Sequence, residues 1–303
     1  MCQAVIKEIL RRKTGAAASG ARLGLVIEGG GMRGVYSAGA LLALSEAGLQ
    51  STFDAVFAES AGAINACYFL ADQVEIGLSI YLEDLRSMRF FNPFRLNRML
   101  DIDFLIDQIV AQSKALDIAK VLASPTRLHV ALTNALDGSP LLIDVKKTQH
   151  PLLEVLRATA AMVPLYNRPV LLEGIPYVDG GIGNPIPILS AIEAGCTHIL
   201  ALLTRPRSFR VREFSPRQAA MLSRSLGRWP PAFRETLLHH RVQRYKQARA
   251  IAYRETGHYP TVNIMAIEPG PLSPQVGRVT RSETKLRAAI EEARLRTHAA
   301  LGL

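Results

Sequence analysis

An α/β fold with a mostly parallel sheet is predicted by three features of the sequence. Short apolar runs rich in β-formers, such as Leu23 to Ile27 and Thr197 to Thr204, read as strands buried on both faces. Stretches of high helix propensity separate them. The runs at Leu23 and Phe53 both end in glycine-containing turns that lead straight into helices, the connection that parallel strands require.

In chain order, Met1 to Gly20 carries Lys7, Arg11, Arg12 and Lys13 without an uninterrupted apolar core, so a frayed or amphipathic arm is expected, not a secretory signal. A strand at Leu23 to Ile27 enters Glu28-Gly29-Gly30-Gly31-Met32-Arg33-Gly34. A helix over Val35 to Leu44 follows, with Gly48 placed for a left-handed cap. Phe53 to Ala58 is the second strand; Glu59-Ser60-Ala61-Gly62 turns it into a helix at Ala63 to Leu70. Helices are expected at Gln73 to Leu85 and Asp101 to Ala119. Between them, residues 86–100 interleave arginines with Phe90, Phe91 and Phe94 around Pro93. That loop is either a lid that touches membrane or a segment whose aromatics pack on the core.

Arg127 to Asn134 reads as a strand, Asp137-Gly138 as a turn into an antiparallel excursion over Pro140 to Val145, and Pro151 to Ala161 as a helix with proline in its first turn. An irregular passage, 162–170, precedes a short apolar segment ending in Asp179-Gly180-Gly181. Asn184-Pro185 then offers a cap and first-turn proline for another helix. A strand at 197–204 and a strongly basic stretch from Arg205 through Arg212 to Arg254 come next. A strand at Thr261 to Ile267 implies a return to the same sheet, and a charged helix over 283–300 closes the chain. The expected organisation is an arm over 1–20 and one domain over 21–303, its core motifs in 22–205 and its basic extension in 206–303.

The chemistry sits at the turns. A serine on a sharp strand-to-helix turn has its Oγ pushed clear of the sheet, and needs small residues two positions to either side because strand and helix pass closely. Ala58, Ser60 and Gly62 have that spacing, with Glu59 and Ala61 between them. Glycines at a helix N-terminus leave backbone N–H groups free to hold a developing oxyanion, and Gly29 to Gly34 supplies such a run. Gly29-x-Gly31-x-x-Gly34 is equally a dinucleotide fingerprint, and a serine at a helix start is equally an N-cap. Asp179, flanked by Gly180 and Gly181, is an acid that another group could approach, or a plain turn.

Taken together, Glu28-Gly29-Gly30-Gly31-Met32-Arg33-Gly34, Ala58-Glu59-Ser60-Ala61-Gly62 and Asp179-Gly180-Gly181 followed by Asn184-Pro185 resemble, in order and spacing, the patatin-like phospholipase family, in particular its bacterial members. The resemblance covers about residues 22–205. It implies a three-layer α/β/α fold with a mostly parallel central sheet and a serine-aspartate dyad acting on acyl esters of lipids. Ser60 would be the nucleophile and Asp179 the base. The amides of the loop holding Gly29, Gly30, Gly31, Met32, Arg33 and Gly34 would form the oxyanion hole, and Ala58, Glu59, Ala61 and Gly62 the nucleophile elbow. Ala58 stands where the family has glycine; its methyl group is tolerable if that backbone keeps negative φ.

With 49% hydrophobic residues the 303-residue chain can bury a large core, and no apolar run reaches the roughly 18 residues of a membrane span. Cys2, Cys67 and Cys196 lack metal-ligand spacing and imply a reducing compartment, so a cytoplasmic protein, peripheral to a membrane at most, is expected. No metal or cofactor is called for. A net charge of +10 favours anionic partners, with lipid or acyl ester as substrate and an anionic membrane surface as a second candidate. Nucleic acid is not expected, because the arginine-rich segment holds no base-reading motif. The seven histidines have no motif tying them to Ser60. Two other readings stay open: a non-catalytic lipid-binding module of the same fold, and a dinucleotide-dependent oxidoreductase, which would need an acid at the end of the second strand, where Glu59 stands and Asp54 does not.

Overall fold

A computed structural model describes residues 2–16, 20–211, 213–255 and 257–302; Met1, residues 17–19 of the expected arm and Arg212 of the basic stretch lie outside them. The strands are β1 (Leu23–Ile27), β2 (Ala55–Ala58), β3 (Arg127–Asn134), β4 (Pro140–Asp144), β5 (Val170–Leu172), β6 (Ile175–Asp179), β7 (His198–Leu202) and β8 (Asn263–Ile267). They form one sheet in the order β5-β6-β3-β2-β1-β7-β8, with β4 also paired to β3. The pairs β1/β2, β1/β7, β2/β3 and β7/β8 are parallel; those of β3 with β4 and β6, and of β5 with β6, are antiparallel.

The three-layer build follows from side-chain alternation along the central strands. Leu23, Leu25 and Ile27 join one core with Val56, Ala58, Leu200 and Leu202, whereas Val26, Ala55, Phe57, Ile199 and Ala201 join a second core on the other face. The first is covered by helices Val35–Glu46, Ala61–Leu70 and Glu283–Leu301, the second by helices Ile188–Glu193 and Arg241–Ala252. With both faces roofed, β1 and β2 are buried at every position, which is why they read as unbroken apolar runs.

Several elements refine or depart from the sequence expectation. Of the two forms expected for the N-terminal segment it takes the amphipathic one: helix Cys2–Lys13 docks by Val5 and Ile9, one helical turn apart and fully buried. Each such burial is worth about 1.5–3 kcal/mol. Arg12 fastens the same helix through Glu8 and Asp54, both at 2.8 Å. The helix expected over 101–119 splits into Phe104–Ser113 and Ile118–Ala123, the first ending in a wide turn from Lys114 N–H to the Ile109 carbonyl. The passage before Asp179 contains a hairpin, with Glu173 and Gly174 at φ 50° and 79° as a two-residue turn between β5 and β6.

In the loop 86–100 the aromatics divide. Phe90 is buried, while Phe94 and Leu96 are 83% and 82% exposed at the tip. Arg95 and Arg98 are held by Asp101 at 2.7 and 3.0 Å, and Arg98 also by Asp103 at 3.1 Å, so their charges are already paired. The basic stretch forms helices Pro216–Ser225, Pro231–Glu235 and Arg241–Ala252 before re-entering the sheet at β8, the expected return.

Candidate active site

β3 brings the Ser60 and Asp179 side chains together. Its residues 127–130 pair with β2, where Ala58 lies opposite Val130; two residues further on, Leu132 pairs with Asp179 at the end of antiparallel β6. A chain leaving β2 beyond Ala58 therefore meets the chain arriving along β6. Ser60 Oγ donates to Asp179 Oδ2 at 2.8 Å, both residues being nearly inaccessible.

Ser60 sits at φ 51° and ψ −132°, a strained backbone for a residue with a side chain and the conformation of a nucleophile elbow. The strain is held in place from below. Thr159, on helix Leu152–Ala160, accepts from Ser60 N–H at 2.8 Å and donates to the Ala131 carbonyl of β3 at 2.7 Å. Ala58 is not among the residues of positive φ, so its methyl group leaves the turn intact.

The glycine loop is threaded against this elbow. A Cβ on Gly29 would stand 2.5 Å from the Glu59 carbonyl oxygen and 2.9 Å from Ser60 Cβ, so only glycine permits the approach. Gly29 N–H donates to Glu59 Oε1 at 2.6 Å, Met32 N–H to the Arg278 carbonyl at 3.0 Å and Arg33 N–H to the Gly30 carbonyl at 3.3 Å. Gly30 and Gly31 are left with amides that donate to no group among the described residues. Gly34 offers its carbonyl to Ser37 and Asn65.

Asp179 also caps the single turn Gly180–Gly183, accepting from Gly181 N–H at 2.8 Å. The helix that Asn184-Pro185 was expected to start begins later, at Ile188, because this cap closes the turn first. Burial lifts the Asp179 carboxyl above the usual carboxylate range, opposed by its bonds from Ser60 and Gly181 and then by the charges of Arg241 and Arg278. Glu59 is raised well above that range, chiefly by burial and then by the charge of Asp179. The two carboxyls are thus unequal, Glu59 being the harder to ionise.

A base must be ionised to accept a proton, so a raised value moves the loss of activity upward in pH. The acid limb of kcat/KM is expected above the ordinary aspartate value of about 3.9. A pH–rate profile with its limb at or below that value would remove Asp179 as a desolvated base. Because the folded state keeps protons that the unfolded chain has released, Asp179 and Glu59 subtract stability as pH rises from the ordinary range through their raised values.

Ser60 and Asp179 face a cavity of about 450 Å³ whose wall also carries Arg33, Arg205, Arg241 and Arg278. A second, narrow cavity is mostly apolar; Ser60, Met162 and Arg278 border both, and Ile64, Phe90, Leu100 and Leu105 line the narrow one. Thr159 and the three arginines beyond Arg33 escaped sequence reasoning. No local pattern marks one threonine inside a helix, or says which members of a basic run turn inward.

No histidine lines either cavity among the described residues. His129 is stacked on Phe57, His198 bonds Thr197, and His298 bonds Glu46. The oxidoreductase reading is corrected: Asp54 accepts from Leu23 N–H and pairs with Arg12 at the start of β2, remote from the glycine loop, and Glu59 is spent on Gly29.

The sequence matches the family model described as patatin-like phospholipase over residues 25–192. An uncharacterized protein of Escherichia coli K12, YjjU, is 30% identical over 211 residues, which cover 68% of this chain and 57% of YjjU. The mouse 1-acylglycerol-3-phosphate O-acyltransferase Pnpla3 is 28% identical over 176 residues, covering 56% of this chain and 42% of that protein. The chain thus spans about half the length of the curated relatives it matches. Among solved structures, VipD from Legionella pneumophila superposes with a TM-score of 0.56 at 16% identity, covering 94% of this chain and 67% of VipD. Human GIVD cytosolic phospholipase A2 gives 0.52 at 11% identity, over 99% of this chain and 61% of that one. Both share the fold.

Proposed function

This chain belongs to the patatin-like phospholipase family, and from that premise we propose that it is a serine acyl hydrolase cleaving lipid acyl esters through a Ser60–Asp179 dyad. The observation that carries the reading is the 2.8 Å bond between Ser60 Oγ and Asp179 Oδ2, made from a strained elbow facing a cavity. Asp179 takes the hydroxyl proton as Ser60 Oγ attacks the ester carbonyl. The free amides of Gly30 and Gly31 receive the oxyanion, which forms where charge develops and is stabilised there by dipoles already fixed in place. The intermediate collapses, the leaving alkoxide takes the proton from Asp179, and the acyl group stays on Ser60. Water, deprotonated by Asp179, then releases the fatty acid.

A carboxylate is a weak base for an alcohol, and burial is what strengthens this one. The narrow apolar cavity beside Ser60 suits the acyl chain, and the wider one the rest of the ester. The exposed tip formed by Phe94 and Leu96 suits contact with a lipid phase, on a loop whose Phe90 and Leu100 line the acyl side. A non-catalytic lipid-binding module would need neither the strained serine nor its bond to a buried acid.

Labelling with a fluorophosphonate, together with fatty-acid release from phospholipid vesicles, tests the proposal. Wild type should be labelled and active, and Ser60→Ala should lose both. A Phe94→Ser, Leu96→Ser double variant should keep turnover of a soluble ester and lose turnover on vesicles. Undiminished labelling of Ser60→Ala would remove the proposed nucleophile.

A further inference from the structure

Several half-buried arginines of this chain are neutralised by carboxylates, while Arg249 and Arg244 are held by carbonyl oxygens. Arg12 is held by Glu8 and Asp54, Arg157 by Asp103 and Asp107, and Arg86 by Glu283. The arginines of the cavity above Ser60 have neither kind of partner. Arg33, Arg205, Arg241 and Arg278 line it, and among the described residues none of their guanidinium groups makes a salt bridge or a side-chain hydrogen bond. Arg205 stacks over Phe209, 3.8 Å from its ring centre, and lies 5.9 Å from that of Tyr245, and Arg33 Nε is buried without a partner.

Burial lowers Arg33 to about 9, with the charges of Arg205 and Arg278 adding to it, and lowers Arg241 to about 10, with Arg278 adding to it. These cations repel one another in a poorly solvated space and the protein offers little to relieve them. Glu28, one of the acids on this wall, is already engaged by Thr204 N–H at 2.7 Å and Tyr245 Oη at 3.1 Å. Four arginines line this space against three acids, Glu28, Glu59 and Asp179, and burial pushes Glu59 well above the usual carboxylate range, so positive charge is in excess. A phosphate monoester carries about −1.5 to −2 near neutral pH and offers three acceptor oxygens to planar donors, so it matches that excess in charge and geometry. A phosphocholine matches it poorly, having one negative charge and a cation of its own.

Three of the arginines, Arg205, Arg241 and Arg278, lie outside the residues that match the family model, so this wall belongs to the chain's own later segments. Resting on the acyl-hydrolase reading, we propose that Arg205, Arg241 and Arg278, with Arg33 behind them, form a headgroup subsite that selects acyl lipids ending in a phosphate monoester. The acyl chain lies in the apolar cavity, the ester at Ser60 and the phosphate among the arginines.

The test uses full-length Ser60→Ala protein, in which turnover cannot consume the ligand. It is titrated calorimetrically, below the micelle concentration, with a short-chain 1-acylglycerol 3-phosphate, the matching phosphocholine, the uncharged 1-acylglycerol and inorganic phosphate. The phosphomonoester lipid is expected to bind at least about tenfold tighter than the other two lipids, and inorganic phosphate to compete with it more weakly. Arg205→Gln and Arg241→Gln, each added to Ser60→Ala, should each weaken it by about tenfold or more, and either one serves if the other does not fold. Equal affinity for the three lipids, or indifference to both substitutions, overturns the subsite. Inorganic phosphate binding as tightly as the lipid makes the ligand free phosphate and overturns the headgroup assignment. Wild-type turnover of an uncharged ester is measured separately: turnover without headgroup selection removes only the subsite, and selective binding without any turnover removes only the hydrolase reading.

Discussion

Asp179→Asn is expected to lower kcat/KM for ester hydrolysis by about 10⁴-fold, the upper end for loss of a general base, because no histidine lines the cavity to take over. The amide is nearly isosteric. Its oxygen can still accept from Gly181 N–H and keep the turn closed, but it has no basic lone pair to offer Ser60. Since burial disfavours the charged carboxylate at this position, the variant should melt no lower than wild type at neutral pH. Steady-state kinetics beside a thermal melt separate the two effects. Retention of more than about a tenth of the activity would leave Asp179 outside the chemistry, since even a modest general base contributes about 10²-fold.

Gly180→Ala should cost both stability and activity. A Cβ at Gly180 would stand 2.0 Å from the Ala131 carbonyl oxygen and 2.6 Å from its carbon, and these are backbone atoms of β3 in the middle of the sheet. They cannot swing away as a flexible side chain would. The expected destabilisation is about 3 kcal/mol or more, at the top of the range for overpacking, read as a fall in the urea midpoint. The displaced end of β6 carries Asp179 with it, and a shift of about 1 Å in a reacting group can cost about 10²-fold in rate. A variant with unchanged midpoint and unchanged kcat would show that β6 has more room than the contact allows.

What could be read from the sequence was whatever a single position dictates. Glycines crowded against strand ends, a serine between small residues and an acid beside two glycines each carry a local steric requirement, so Gly29, Ser60 and Asp179 stood out. Unbroken apolar runs gave β1, β2, β3 and β7 to within two residues. What escaped depends on contacts between distant segments. Thr159 matters because it lies under the elbow, and Arg205, Arg241 and Arg278 because three separate segments converge over one serine. Phe90 and Phe94 share a loop and a composition, yet one is buried and the other bare, a difference fixed by packing alone. The cap expected at Asn184 failed for a related reason: Asp179, five residues earlier, had closed a turn through a bond of its own.

The placement of Ser60 and Asp179 along β3 has a further consequence. Both are measured off one rail, through the pairings Ala58 with Val130 and Leu132 with Asp179, so their separation is indifferent to how much polypeptide loops out between them. The excursion over 71–126 can be lengthened, trimmed or exchanged as a cassette while the gap between Ser60 and Asp179 stays set by β3 and by Thr159 beneath it. A scaffold of this kind lets the walls of the cavity vary independently of the serine and the acid at its floor.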